Sequence, residues 1–126
     1  MKHYLLAIFL LITTVALAQQ PAEKNNPDYK QLLQQVQKGE VYLIDVRTPE
    51  EYKEGNLEYS VNIDYLGEDF KTILSGLDKS KPVYVYCRSG NRSGKALDSL
   101  KILGFTHYYN LGGFEQLKAA GMPVRK

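Results

Sequence analysis

Val41 to Val46 is the segment that most limits what this chain can become. It stays apolar as far as Asp45-Val46-Arg47, is rich in β-branched residues and is too short for a helix, so it reads as a strand buried on both faces. Such a strand lies centrally in a parallel sheet, and parallel neighbours need crossover segments to bring the chain back. The flanking sequence supplies them. Tyr29, Leu32, Leu33 and Val36 recur at helical spacing between Asn26-Pro27, an N-cap followed by proline at the first helical position, and Gly39. Thr48-Pro49-Glu50-Glu51 is a capping box for a short helix ended by Gly55. Ser60 to Ile63 reads as a second short strand, and Leu66, Phe70, Ile73, Leu74 and Leu77 make another helical face. Beyond Pro82 a strand runs through Tyr86. Ala96, Leu97, Leu100 and Leu103 then mark a helix stopped by Gly104, and His107 to Leu111 is a last strand before a helix over Phe114 to Ala120. The expectation is one α/β domain over residues 27–126, a small parallel sheet of four or five strands with helices on both faces. Right-handed crossovers gather the carboxyl ends of the strands on one rim.

Ahead of that domain, Met1-Lys2-His3 leads into an apolar stretch from Tyr4 to Ile12 and then Ala16-Leu17-Ala18. Residues 1–18 have the form of a secretory signal peptide, too short in their apolar part for a membrane span. Cleavage after Ala18 is expected, followed by a flexible leader over 19–26. The mature chain is then exported, periplasmic or secreted, with no stable membrane insertion. The alternative is an uncleaved anchor. Loss of Lys2 turns sixteen bases against fourteen acids into fifteen against fourteen, a balance that points away from nucleic acid as a partner. The ten tyrosines read as core and sheet-face residues, since a basic stripe for base stacking is missing.

The strand Val83 to Tyr86 runs directly into Cys87-Arg88-Ser89-Gly90-Asn91-Arg92-Ser93-Gly94, and Cys87 is the only cysteine in the chain. A single thiol builds neither an internal disulfide nor a thiolate zinc cluster, so in an exported protein it asks for a chemical role. Gly90 and Gly94 let backbone N–H groups converge, Arg88 and Arg92 bring positive charge, and a helix start follows; each favours thiolate over thiol. Lowering a thiol by ~2 units from about 8.5 raises its ionised fraction at pH 7 from a few per cent to about three-quarters. Spacing narrows the reaction. Arg92 stands five positions beyond the sulfur, whereas a tetrahedral phosphoryl or arsenyl group wants the sixth, which here is Ser93; the smaller cradle suits one sulfur atom. His107 has no second histidine in the mature chain, and no metal is expected.

At these residues the chain resembles the rhodanese family of sulfurtransferases, over roughly Asp28 to Val124. Leu43 through Tyr52 looks like the family's first signature, and Val83 through Ser93 looks like its active-site strand with a six-residue loop from Cys87 to Arg92. Asn110-Leu111 with Gly112-Gly113 resembles the stretch before the last helix, and Ala119 through Val124 resembles the closing segment. The resemblance implies a two-step exchange without a cofactor. Cys87 takes sulfane sulfur from a small donor such as thiosulfate, holds it as a persulfide, and passes it to cyanide or a thiol. It also implies that the amides of Arg88, Ser89, Gly90, Asn91, Arg92 and Ser93 hold the outer sulfur and that Arg88 and Arg92 orient the donor's anionic group. Of the two, Arg92, next to the helix start, is the better candidate for anion contact. Asp45, Arg47 and Glu51 are then supporting residues, in ion pairing and capping. Where relatives read Gly-His-Ile-Pro-Gly-Ala, this chain has Gly55-Asn56-Leu57-Glu58-Tyr59-Ser60, and Leu117 stands where tryptophan is usual. The usual first edge strand is not legible before Asn26, which favours four strands.

Three other readings stay open at this level. The loop style is shared with small cysteine-dependent phosphatases and arsenate reductases. A module that binds an anion or a persulfide without turnover needs the same groups. A thiol redox protein with a sulfur-delivery or redox partner is the third.

Overall fold

A computed structural model describes residues 28–126. The signal peptide expected over 1–18, the leader over 19–26 and the cap expected at Asn26 with Pro27 lie outside the described residues. The first helix, α1 (Tyr29–Gln37), is capped by Asp28, which accepts the N–H groups of Lys30 at 3.1 Å and Gln31 at 3.3 Å. The start signal therefore sits two residues later than Asn26, because the aspartate satisfies two of the helix's free N–H groups directly.

The strand β1 (Tyr42–Asp45) leads to α2 (Pro49–Glu54), whose capping box is present as read: Thr48 Oγ1 accepts the Glu51 N–H and Glu51 Oε1 accepts the Thr48 N–H, both at 3.3 Å. Next come β2 (Asn56–Leu57), β3 (Val61–Asn62) and α3 (Phe70–Ser75). The helical face expected from Leu66 to Leu77 is cut to these six residues, with Phe70 and Leu74 buried but Leu66 and Ile73 67% and 41% exposed. The chain continues through β4 (Val83–Cys87), α4 (Asn91–Ile102), β5 (Tyr108–Gly113), α5 (Phe114–Ala119) and β6 (Val124–Arg125). One sheet has the order β3-β1-β4-β5, all pairs parallel, so four strands is the outcome and β1 is central as its sequence requires. The pairing of β2 with β6, antiparallel with Leu57 opposite Val124, was not legible. Two residues give no period to read.

Alternation along the strands separates two cores. Ile44, Val46, Val83, Val85 and Cys87 pack with Phe70, Leu74, Ala96 and Leu100 on the α3–α4 face. Leu43 and Tyr86 pack with Leu32, Leu57, Phe114, Leu117 and Met122 on the α1–α5 face. At roughly 1.5–3 kcal/mol for each large apolar side chain, these two layers supply the main driving force for folding. Leu117, in place of the usual tryptophan, is fully buried in the second layer. Period-two alternation thus aims Cys87 inward on the α4 side, at the carboxyl rim of the sheet.

Candidate active site

Cys87 ends β4, and Gly90, at φ +93°, turns the chain into α4. A residue with a Cβ resists that left-handed conformation, and here one would also stand 3.3 Å from the Gly112 Cα. The Gly90 N–H reaches Cys87 Sγ at 3.0 Å and the Ser93 hydroxyl lies 3.3 Å from it. Burial of the sulfur pushes the thiol up; the Ser93 side chain and the backbone N–H groups of Ser93, Ser89 and Gly90 outweigh it, and the net position is below the ordinary thiol value. Of the expected cradle, the converging N–H groups are at the sulfur. The sulfur is also fully covered, at 0% exposure, so it lies beneath its loop rather than open at a pocket floor. Inward alternation from Val83 and Val85 is the reason.

The two arginines part company. Arg92, on the first turn of α4, gives both terminal nitrogens to Glu51, at 2.7 Å to Oε1 and 3.0 Å to Oε2. Arg92 beside it, with help from Thr48 and against some desolvation, holds the Glu51 carboxyl down at about 2. Arg92 therefore reaches the site already neutralised, although its charge still couples to Cys87. Arg88 is exposed and lines a cleft of about 430 Å³ with Arg47, Glu51, Glu54, Phe114 and Lys118. Among the described residues Arg88 makes no ion pair. Ser89 contributes its N–H, while Asn91 opens α4 and is exposed.

Asp45 and Arg47 pair with each other beside the cleft. Arg47 Nη2 meets Asp45 Oδ2 at 2.7 Å and the Gly55 carbonyl at 2.7 Å, Nε bonds both carboxylate oxygens at 3.0 Å, and the guanidinium lies 4.3 Å from the Phe114 ring centroid. Both residues are buried, so the pair and its ring contact fix the cleft wall beside α2 and α5. Across that wall, Asn56 donates to the Tyr52 carbonyl at 3.0 Å and accepts Arg125 Nε at 3.1 Å. The departure at Asn56 thus ties β2 to β6. His107 is exposed, with Nδ1 2.9 Å from Thr106 Oγ1.

Sequence reasoning missed Asn110 as part of the site. Its Oδ1 accepts the Ser93 hydroxyl at 2.7 Å and the Gly112 N–H at 3.0 Å, and its Nδ2 donates to the Gly90 carbonyl at 3.0 Å. A register shift makes this reach possible: Val85 pairs with Asn110 but Tyr86 with Gly112, and the extra residue bends β5 toward the loop. Gly113 completes the fit, since a Cβ there would stand 2.7 Å from the Arg88 carbonyl oxygen. The one local signal was an asparagine just ahead of two glycines at a strand end.

Comparison with known proteins agrees with this fold. Residues 28–120 match the family model described as the rhodanese-like domain. The chain is 38% identical over 83 residues to the thiosulfate sulfurtransferase PspE of Escherichia coli, covering 66% of this chain and 77% of that one. It is 33% identical over 85 residues to the thiosulfate sulfurtransferase GlpE of Coxiella burnetii, covering 67% and 78%. Among solved structures, a rhodanese-like domain from Anabaena superposes with a TM-score of 0.63 at 30% identity, covering 68% of this chain and 99% of that one. A rhodanese with anions from Escherichia coli gives 0.55 at 38% identity, covering 68% and 96%.

Proposed function

This chain belongs to the rhodanese-like domain family, and from that membership and the Cys87 cradle we propose that it is a sulfurtransferase carrying sulfane sulfur as a persulfide on Cys87. The observation that supports this most is a buried sulfur met by the Gly90 N–H and the Ser93 hydroxyl, with the thiol held below its ordinary value. Relatives named thiosulfate sulfurtransferase point the same way.

In the first half of the exchange the Cys87 thiolate attacks the outer sulfur of thiosulfate. An S–S bond forms to Cys87, the donor's own S–S bond breaks, and sulfite leaves with that electron pair. In the second half an acceptor thiolate or cyanide attacks the outer sulfur, and Cys87 departs as thiolate. No external oxidant or reductant enters the balance. Arg88, in no ion pair among the described residues and facing the cleft, meets the donor's anionic group, while Arg92, held by Glu51, supports the loop and the sulfur's charge. This division reverses the sequence expectation, in which Arg92 is the better candidate for anion contact; the pairing with Glu51 is the reason. Because Cys87 is fully covered at rest, side chains around the loop must move to admit the donor. The cleft of about 430 Å³ falls in the range of small-molecule sites; it meets the loop at Arg88 and Cys87 does not line it, so it serves as an approach to the sulfur rather than as the chamber around it. We propose further that residues 1–18 direct export, checked by the N-terminus of the secreted chain.

Mass spectrometry of reduced protein incubated with thiosulfate tests the central reading. One extra sulfur is expected on the Cys87 peptide, lost on adding cyanide and absent from Cys87→Ser. Persistent absence of the adduct in the fully reduced wild type removes the enzymatic reading and leaves anion binding.

A further inference from the structure

Ser93 Oγ stands 2.7 Å from Asn110 Oδ1 and 3.3 Å from Cys87 Sγ, yet a hydroxyl carries a single proton. The two contacts therefore alternate. Asn110 cannot turn its amide over to relieve the competition. In the opposite orientation its nitrogen would face the Gly112 N–H and its oxygen the Gly90 carbonyl, donor against donor and acceptor against acceptor. Asn110 Oδ1 is thus a fixed acceptor beside the Ser93 hydroxyl. When Cys87 is a thiol, its S–H can donate to Ser93 Oγ while Ser93 donates to Asn110, and each group is satisfied. When Cys87 is a thiolate, the sulfur accepts from Ser93 as well as from Gly90, and Asn110 Oδ1 keeps the Gly112 N–H alone.

We propose that the Ser93 hydroxyl is a rotor between Cys87 and Asn110, with Asn110 as the positioning residue that holds it over the sulfur and relays the sulfur's charge to β5. Ionisation sends the thiol proton to solvent, and the Ser93 proton only swings about its Cβ–Oγ bond, so no further bond is made or broken. On the sulfurtransferase reading, to which this consequence alone is tied, the inner sulfur of a persulfide is uncharged and Ser93 faces Asn110. Discharge to the acceptor turns it back onto the leaving thiolate. Among the described residues Arg92, paired with Glu51 of α2, is the charged group coupled to the sulfur; further charged and titratable groups on the neighbouring elements are Arg88 on the loop, Lys95 and Asp98 along α4, Asp45 and Arg47 at the end of β1, and Tyr86 in β4. The titratable residues of β5, Tyr108 and Tyr109, pair with Val83 and Tyr84 at the far end of β4. A response in β5 close to Cys87 can come through Ser93 to Asn110, through Gly90, whose N–H meets the sulfur and whose carbonyl Asn110 holds, through the β4–β5 pairing or through space, and Ser93→Ala removes the first route alone.

The test uses no sulfur donor, so it stands or falls apart from persulfide formation. In the isotope-labelled full chain, thiolate absorbance and the amide shifts of Gly112 and of the Asn110 side chain are followed together against pH. The Gly112 amide is expected to titrate with the same midpoint as the thiolate, and to lose that step in Cys87→Ser. In Ser93→Ala the Gly112 step disappears and the thiolate midpoint rises, an about tenfold smaller thiolate fraction below it, as for loss of one hydrogen bond to a charged group. Ser93→Thr, which keeps the hydroxyl, restores both. A Gly112 amide that stays flat while Cys87 ionises, or a step that survives in Ser93→Ala, overturns the rotor. Should Ser93→Ala fail to fold, wild type, Cys87→Ser and Ser93→Thr still decide it: a flat Gly112 profile in wild type, or a step retained in Cys87→Ser or missing from Ser93→Thr, rejects it.

Discussion

Replacing Glu51 with glutamine should flatten the acid limb of this protein's stability curve. In the fold, two bonds from Arg92 of 2.7 and 3.0 Å, opposed by desolvation and helped by Thr48, draw the Glu51 carboxyl from 4.5 down to about 2. A carboxyl whose folded value lies below its unfolded one contributes stability that is complete above the unfolded value and is lost as pH falls through the folded value. Lowering it that far corresponds to roughly 3 kcal/mol at neutral pH, of which about 2 kcal/mol is gone by pH 3. The Arg92 and Glu51 side chains keep 21% and 28% of their surface in solvent, so screening reduces the expected loss to roughly 1–2 kcal/mol. Glutamine preserves the Oε1 acceptor for the Thr48 N–H and for Arg92 Nη1, so the capping box survives, while the charge and the Oε2 acceptor for Arg92 Nη2 are removed. Urea unfolding of both chains at about pH 7, 5, 4 and 3 reads the difference directly. The stability gap between wild type and Glu51→Gln should be largest at neutral pH and shrink below about pH 4.5. A gap that stays constant down to pH 3 would show that this carboxyl titrates alike folded and unfolded, and the account of Arg92 as a neutralised arginine would fall with it.

Arg47→Met strands the fully buried Asp45 carboxylate, and urea unfolding should show a loss of about 3–5 kcal/mol, most of it recovered when Asp45→Asn is added. Gly113→Ala pushes a methyl to 2.7 Å from a backbone oxygen, so a cost of about 1–3 kcal/mol is expected in the same assay, together with a raised thiolate midpoint as the loop shifts. Tyr59 sits at φ +67° with 42% of its surface exposed, in the place where the family pattern has glycine; Tyr59→Gly should raise the thermal midpoint by removing about 1 kcal/mol of backbone strain. A lower midpoint would mean that the ring's packing outweighs the strain. Arg88→Gln should raise KM for thiosulfate about tenfold while leaving the thiolate titration in place, and an unchanged KM would remove Arg88 from donor binding.

Much of the local order was legible because its causes are local. The Thr48 capping box joins residues three apart, the apolar run at β1 declares burial on both faces within four residues, and the halt of α4 before Gly104 needs only that glycine's left-handed φ of +95°. The Cys87 loop was legible for the same reason: cysteine, glycines and helix start are consecutive in the chain. What the sequence left undecided depends on partners brought together by packing. Arg92, next to the helix start, reads as the better anion contact of the two arginines, but the arrival of Glu51 from 41 positions away neutralises it and leaves Arg88 for the cleft. Asn110 became part of the site through a strand shift and a neighbouring helix, the β2–β6 pair formed because the chain's end met Leu57, and the sulfur went inside because β4 alternates. Periodicity and capping are properties of neighbours in sequence, while which charge is cancelled and which hydroxyl proton is shared depend on distances of a few ångströms that only chain closure creates.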